Sequence, residues 1–275
     1  MHLKRLILLL FIITNFTTNG QRNNQEARLK GINNHTMKNK MKVEIWSDIM
    51  CPFCYIGKRK FETALAKFPH KDNVQLVWKS FQLAPNLKTQ PDKNIHQFLS
   101  EHKGISIEQA RAMNNQVTHM ASQVGLVYNF DKAIAANSFN VHRFIHFAKQ
   151  QGKQDEAEEL LFRSYFTDGK NIDDYPTLIE LGTEMGLDTI SLKTALENGS
   201  YADDVKADIL EAQQLGVSGV PFFILNRKYA VSGAQESQTF FEALTKAFDE
   251  WSKRNPETEL EIIEGQSCEP DGNCK

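Results

Sequence analysis

The chain has 275 residues, 41% hydrophobic and 24% charged, with a formal net charge of −2. That composition excludes a disordered chain and a cysteine-dense mini-domain, and it fits one large domain or two small ones. Residues 1–42 hold eight Lys/Arg and one acidic residue while the rest hold 24 and 33, so the folding part is mildly acidic and nothing in it points to nucleic acid.

Lys4 and Arg5 precede an apolar run, Leu6 to Ile13, in the basic–apolar–polar order of an export signal. The run is too short to span a bilayer. Thr18-Asn19-Gly20 makes a poor cleavage region, and Met37 and Met41 stand just ahead of the first β-rich run. The expectation is a start at Met41, a cytoplasmic protein with no stable membrane insertion, and residues 1–42 as a disordered extension. A working signal over residues 1–20 would instead send the protein to the periplasm.

Val43 to Trp46 alternates and is β-rich, which predicts a strand. Cys51-Pro52 opens a helix to about Phe68, with Ile56, Phe61, Leu65 and Phe68 on one face. Val74 to Phe81 is a second strand, so the first ninety residues contain a βαβ unit. From Pro91 to Gly216 no β-rich run occurs. Helical periodicities follow one another there, over 95–102, 107–124, 138–150, 155–166, 175–185, 192–197 and 201–215, with glycines at the C-cap positions. Phe222–Leu225 and Tyr229–Val231 predict a hairpin around Asn226-Arg227-Lys228, and Ser237–Trp251 a last helix. The predicted organisation is a sheet domain from 43–90 and 217–254, a helical subdomain over 91–216 and a polar tail over 255–275.

Four cysteines fall in two pairs, Cys51/Cys54 and Cys268/Cys274. The first pair sits where a strand ends and a helix begins. Cysteines at i and i+3 on a first helical turn share one face and can close a small disulfide ring. Pro52 suits the first helical position, where the missing N–H has no intrahelical partner to lose. Cys51 then occupies the exposed helix start, whose free N–H groups favour a thiolate, and Cys54 lies one turn deeper. This asymmetry makes Cys51 the attacking sulfur and Cys54 the resolving one. The alternatives are an inert pair or half of a zinc site, for which Cys268 and Cys274 are poorly spaced partners; no metal is expected.

Gly219-Val220-Pro221-Phe222 enters the hairpin. A proline entering a strand is usually an edge signal, and a cis Val220–Pro221 bond resolves the conflict; a trans proline at a strand start is the alternative. The Val220 backbone and Pro221 are candidate substrate contacts, pairing with an extended peptide. His142, beside Arg143 on a phenylalanine-rich helix, is a further candidate for a substrate groove, against a satisfied structural histidine. Asp48 reads as a loop carboxylate bonding local backbone. Tyr55, Lys58 and Arg59 read as packing and solvated surface.

Taken together, the chain resembles the DsbA family, and within it the FrnE-like subgroup. The stretches that carry the resemblance are 43–48, 51–59 (Cys-Pro-Phe-Cys-Tyr-Ile-Gly-Lys-Arg), Asn137-Ser138 with His142-Arg143, Leu161 to Phe166, Gly216 to Phe223 and Gly233-Ala234-Gln235. It spans roughly residues 43–250. It implies an α/β thioredoxin fold with a large inserted all-helical subdomain, dithiol–disulfide exchange without a metal or organic cofactor, and a proline loop lying against the dithiol. Some relatives carry a C-terminal cysteine pair, which makes Cys268 and Cys274 candidates for an auxiliary redox pair. The Pro-Phe dipeptide departs from the subgroup's frequent Pro-Trp and leaves the direction of reaction open.

The expected function is thiol–disulfide oxidoreductase, acting on protein or small-thiol disulfides and recycled by a redox partner. Two other classes compete. A glutathione-dependent transferase or isomerase of the kappa or hydroxychromene-carboxylate type would tolerate loss of Cys54. A chaperone-like binding module would tolerate loss of both cysteines.

Overall fold

The computed structural model describes residues 40–256. The expectations for residues 1–39, for Cys268 and for Cys274 fall outside the described residues, while Met41 and Lys42, expected at the end of a disordered extension, open the first strand, with Met41 fully buried.

A four-stranded sheet has the order β2-β1-β5-β6, from β1 (Met41–Ser47), β2 (Val74–Ser80), β5 (Phe222–Leu225) and β6 (Tyr229–Ser232). β1 runs parallel to β2 and antiparallel to β5, and β5 and β6 form the expected hairpin. Asn226 and Arg227 take positive φ at its tip, the backbone a tight hairpin turn demands. Helices α1 (Pro52–Lys67) and α9 (Ser237–Arg254) pack on one face of the sheet. Phe61, Phe223 and Phe240 meet there, with ring centroids 4.6–5.6 Å apart. On the other face Trp46 packs against Ala212 and Val217, and its indole N–H donates to the Asp208 carbonyl at 3.0 Å. Parallel strands need such cover on both sides.

Between β2 and β5 come α2 (Ile95–Lys103), α3 (Ile107–Ser122), α4 (Phe139–Gln150), α5 (Gln154–Arg163), α6 (Tyr175–Glu184), α7 (Thr189–Glu197) and α8 (Ala202–Gln214). This is a thioredoxin fold with a helical insertion, and it differs from the sequence reading in two places. The insertion is not purely helical: β3 (Gln90–Asn94) and β4 (Ile134–Ala135) form a short antiparallel ladder. Gln90-Pro91-Asp92-Lys93-Asn94 has no β-branched residue and no alternation, so only the tertiary pairing reveals it. The helix expected over 155–166 ends at Arg163 and widens into a π-helical turn, Ser164–Asp168. The larger of the buried clusters joins these helices to the motif end of α1, through Cys51, Cys54, Tyr55, Ile56, Phe144, Phe162 and Phe166.

Candidate functional site

Cys51 is the N-cap of α1, extended at φ −86° and ψ 110°, with Pro52 opening the helix and no side chain capping it. Pro52 has no amide N–H to leave unpaired, and the Cys54 amide closes the turn on the Cys51 carbonyl at 3.0 Å. Cys51 and Cys54 are free thiols, 4% and 1% exposed, so Cys51 is not the exposed sulfur expected of the helix start: the neighbouring loop and insertion cover it nearly as fully as Cys54. Burial pushes the Cys54 thiol well up, and the hydrogen bond and charge of Cys51 add to it. The Asp48 amide and the Ser47 hydroxyl, which has no other hydrogen-bond partner, oppose the shift. Of the two sulfurs Cys54 is thus built to stay protonated.

The Val220–Pro221 bond is cis, and the Cys51 thiol reaches the Val220 carbonyl at 3.5 Å. Pro221 is buried, and its carbonyl accepts from the Gly233 amide at 2.8 Å, fixing the loop to the end of β6. Gly57, inside α1, lets the loop close: a Cβ there would stand 2.9 Å from the Pro221 ring. A glycine in a helix interior is the sequence mark of such an approach.

His142 corrects the groove expectation. It is 1% exposed, its Nε2 lies 2.8 Å from the Phe81 carbonyl and 3.8 Å from Asp48, and it cannot touch an incoming substrate without unpacking α4. Arg143 is likewise structural, donating to the Ala195, Leu196 and Ser200 carbonyls at the end of α7. Asp48 accepts from the local Met50 amide at 3.1 Å, as expected, and also from the distant Leu83 amide at 2.8 Å, which the sequence does not suggest.

The other face of α1, expected as packing and solvated surface, is instead closed by ion pairs and hydrogen bonds. Lys58 is buried and lies 3.1 Å from Glu159 of α5, with Glu62 on its ammonium as well. Tyr55 donates to Glu159 at 2.6 Å, and Arg59 pairs with Glu159 and Glu62. Burial disfavours ionisation of Glu159, but hydrogen bonds from Arg59 and Tyr55 outweigh it and hold the carboxyl at about 2. Its neighbour Glu158 is 1% exposed with one oxygen unpartnered. Burial pushes that carboxyl well above the usual range, opposed by Lys58 and reinforced by Asp155 and Asp48. Tyr55, Lys58 and Arg59 stand at i, i+3 and i+4; the spacing marks one helix face, but Glu159, the acid all three meet, lies about a hundred residues away.

No helix among the described residues is long and apolar enough to cross a membrane. The sequence profile of the DSBA-like thioredoxin domain matches residues 42–245. A solved probable DsbA oxidoreductase from Streptomyces coelicolor is 40% identical, with 86% of this chain and 98% of that one covered at a TM-score of 0.71. The uncharacterized protein YwbO of Bacillus subtilis (strain 168) is 29% identical over 77% of this chain and 98% of its own length. A 2-hydroxychromene-2-carboxylate isomerase shares the fold at 14% identity and a TM-score of 0.55, covering 80% of this chain and 100% of that one. With a dithiol at a helix start, a cis-proline loop against it and a match across the sheet and the insertion alike, the chain belongs to the DSBA-like thioredoxin domain family.

Proposed function

We propose that the protein is a thiol–disulfide oxidoreductase that exchanges disulfides with protein or small-thiol substrates through Cys51 and Cys54. The observation that carries the reading is the asymmetry in position: Cys51 at an uncapped helix start with its sulfur 3.5 Å from the Val220 carbonyl, and Cys54 a turn further along the helix with its thiol pushed up. The Cys51 thiolate attacks a substrate disulfide, forming a mixed disulfide and releasing one substrate thiolate, which takes up a proton. Cys54 gives up its proton and attacks the Cys51 sulfur, closing the Cys51–Cys54 disulfide and releasing the second substrate thiolate. Two electrons pass from the dithiol to the substrate; the reverse sequence oxidises a substrate dithiol. The partner's potential sets the direction. The Val220 and Pro221 backbone borders the reacting sulfur, where an extended peptide would lie.

The FrnE-like subgroup, a cytoplasmic location with Met41 as the start, and a relay through Cys268 and Cys274 to a recycling partner belong to the same proposal. Intact-mass measurement of the native protein checks the start, and deletion of residues 265–275 is expected to lower turnover with a protein partner. The test of the main reading is exchange in glutathione buffer. Cys51→Ser should abolish it and Cys54→Ser should accumulate mixed disulfides. Full turnover in Cys54→Ser would favour a glutathione-dependent transferase or isomerase, and full activity in the double variant a binding module.

A further inference from the structure

One hydroxyl of the insertion hydrogen-bonds inside the dithiol turn. Tyr128, between α3 and β4, is 6% exposed, and its phenol O–H donates at 2.7 Å to the carbonyl of Pro52, inside the Cys51–Cys54 motif. Its ring stacks on Phe166 at 4.5 Å and faces Tyr55 at 6.2 Å. Burial raises the phenol's pKa, and charge on Cys51 raises it further, so Tyr128 stays a hydrogen-bond donor and is no proton acceptor.

The segment that carries Tyr128 is itself clamped. The Asn129 amide donates to the Phe166 carbonyl at 2.6 Å, and the Thr167 hydroxyl donates to the Val127 carbonyl at 2.6 Å. Both anchors lie in the π-helical turn Ser164–Asp168, where the wider i→i+5 bonding departs from the regular helical ladder and re-aims backbone groups. Tyr165 of the same turn donates to the Ile134 carbonyl at 2.8 Å. Gly169, at φ +73°, ends the turn, and a Cβ there would stand 2.5 Å from the Lys132 side chain and 2.7 Å from its carbonyl. Turn and segment are therefore in contact along their length, on both sides of Tyr128.

We propose that Tyr128 is a positioning residue of the dithiol: seated on the π-helical turn of the insertion, its hydroxyl fixes the Pro52 carbonyl and holds the motif turn in the form that presents two free thiols. The inference rests on the Cys51–Cys54 reading and adds to it the part the insertion plays. Tyr128→Phe keeps the ring and its stacking and removes only the tether. The dithiol form then loses a hydrogen bond that the phenol supplies, and the pair shifts toward the disulfide.

The experiment is redox titration of the full chain in glutathione buffers, reading the Cys51–Cys54 state by alkylation and mass spectrometry. Tyr128→Phe is expected to move the glutathione ratio at half-oxidation about three- to tenfold toward the disulfide, the range one neutral hydrogen bond supports. Phe240→Leu, which loosens the sheet core on the other face of α1 and touches neither Tyr128 nor its seat, is expected to lower the thermal midpoint with the ratio unchanged. A ratio in Tyr128→Phe that is unchanged or moves toward the dithiol overturns the inference, as does an equal shift in Phe240→Leu. Cys51→Ser is run beside them: residual exchange there would sink the proposed function, whatever Tyr128→Phe does, while its loss with no shift in Tyr128→Phe sinks this inference alone.

Discussion

The two faces of α1 are built differently. One places Phe61, Ala64 and Phe68 against Phe223, Phe240, Leu244 and Phe248 in a core with no charge among its residues. The other places Tyr55, Lys58 and Arg59 against Glu159, with Tyr128 and Phe162 stacked on Tyr55. The first face fixes where the helix lies by burial alone, which is strong and undirected. The second is held by directed bonds, and directed bonds are what a reacting pair needs to keep its geometry. The helix is thus anchored by one side and aimed by the other.

Breaking the apolar face should have the largest effect on stability. Phe61 is 1% exposed between two aromatic neighbours, and Phe61→Ala is expected to cost about 3–5 kcal/mol, read by denaturant unfolding. Gly57→Ala sharpens the contrast at the seam. It leaves both faces of α1 intact but drives a methyl to within 2.9 Å of the Pro221 ring. A loss of about 1–3 kcal/mol is expected, with exchange slowed about tenfold or more because the proline loop moves off the sulfur.

On the polar face, Glu159→Gln removes a carboxylate held at about 2 against a usual 4.5. A lowered folded value means that this stability is present above 4.5 and is lost as pH falls toward 2. Glu159 is about a third exposed, so solvent screening limits the loss in Glu159→Gln to about 1 kcal/mol at neutral pH. Unfolding curves of the two proteins should converge near pH 2. Glu158 carries the opposite sign. Its folded value is raised by burial, so the native state loses stability as pH rises above the unfolded carboxylate value. Glu158→Gln should therefore leave the midpoint unchanged at pH 4 and raise it by an increment that grows toward pH 8. A gain that is flat with pH would contradict the assignment.

The contrast also explains what the sequence disclosed. The apolar face repeats at helical spacing, and the strands alternate, so α1, the sheet elements and most of the insertion could be read locally. Cys51 and Cys54 draw notice by their spacing at a strand-to-helix junction, and Pro221 by standing where a strand should not begin. The polar face gave no such signal. Lys58 and Arg59 look like surface residues until Glu159 is brought to them from α5. His142 looked like a groove residue because histidine beside arginine on an aromatic helix has the same pattern whether it faces solvent or, as here, the Phe81 carbonyl. Tyr128 sits in a loop segment with no motif of its own, and its role depends on a hydrogen bond across 76 residues. Local pattern reports burial; it does not report which distant partner a polar group meets.

The most direct test of the account is where a substrate sulfur becomes attached. Cys54→Ser and Cys51→Ser are each incubated with glutathione disulfide, quenched with acid and mapped by mass spectrometry. The account expects a stable glutathione adduct on Cys51 in Cys54→Ser and little or none on Cys54 in Cys51→Ser. Equal labelling of the two sulfurs, or faster labelling of Cys54, would contradict it.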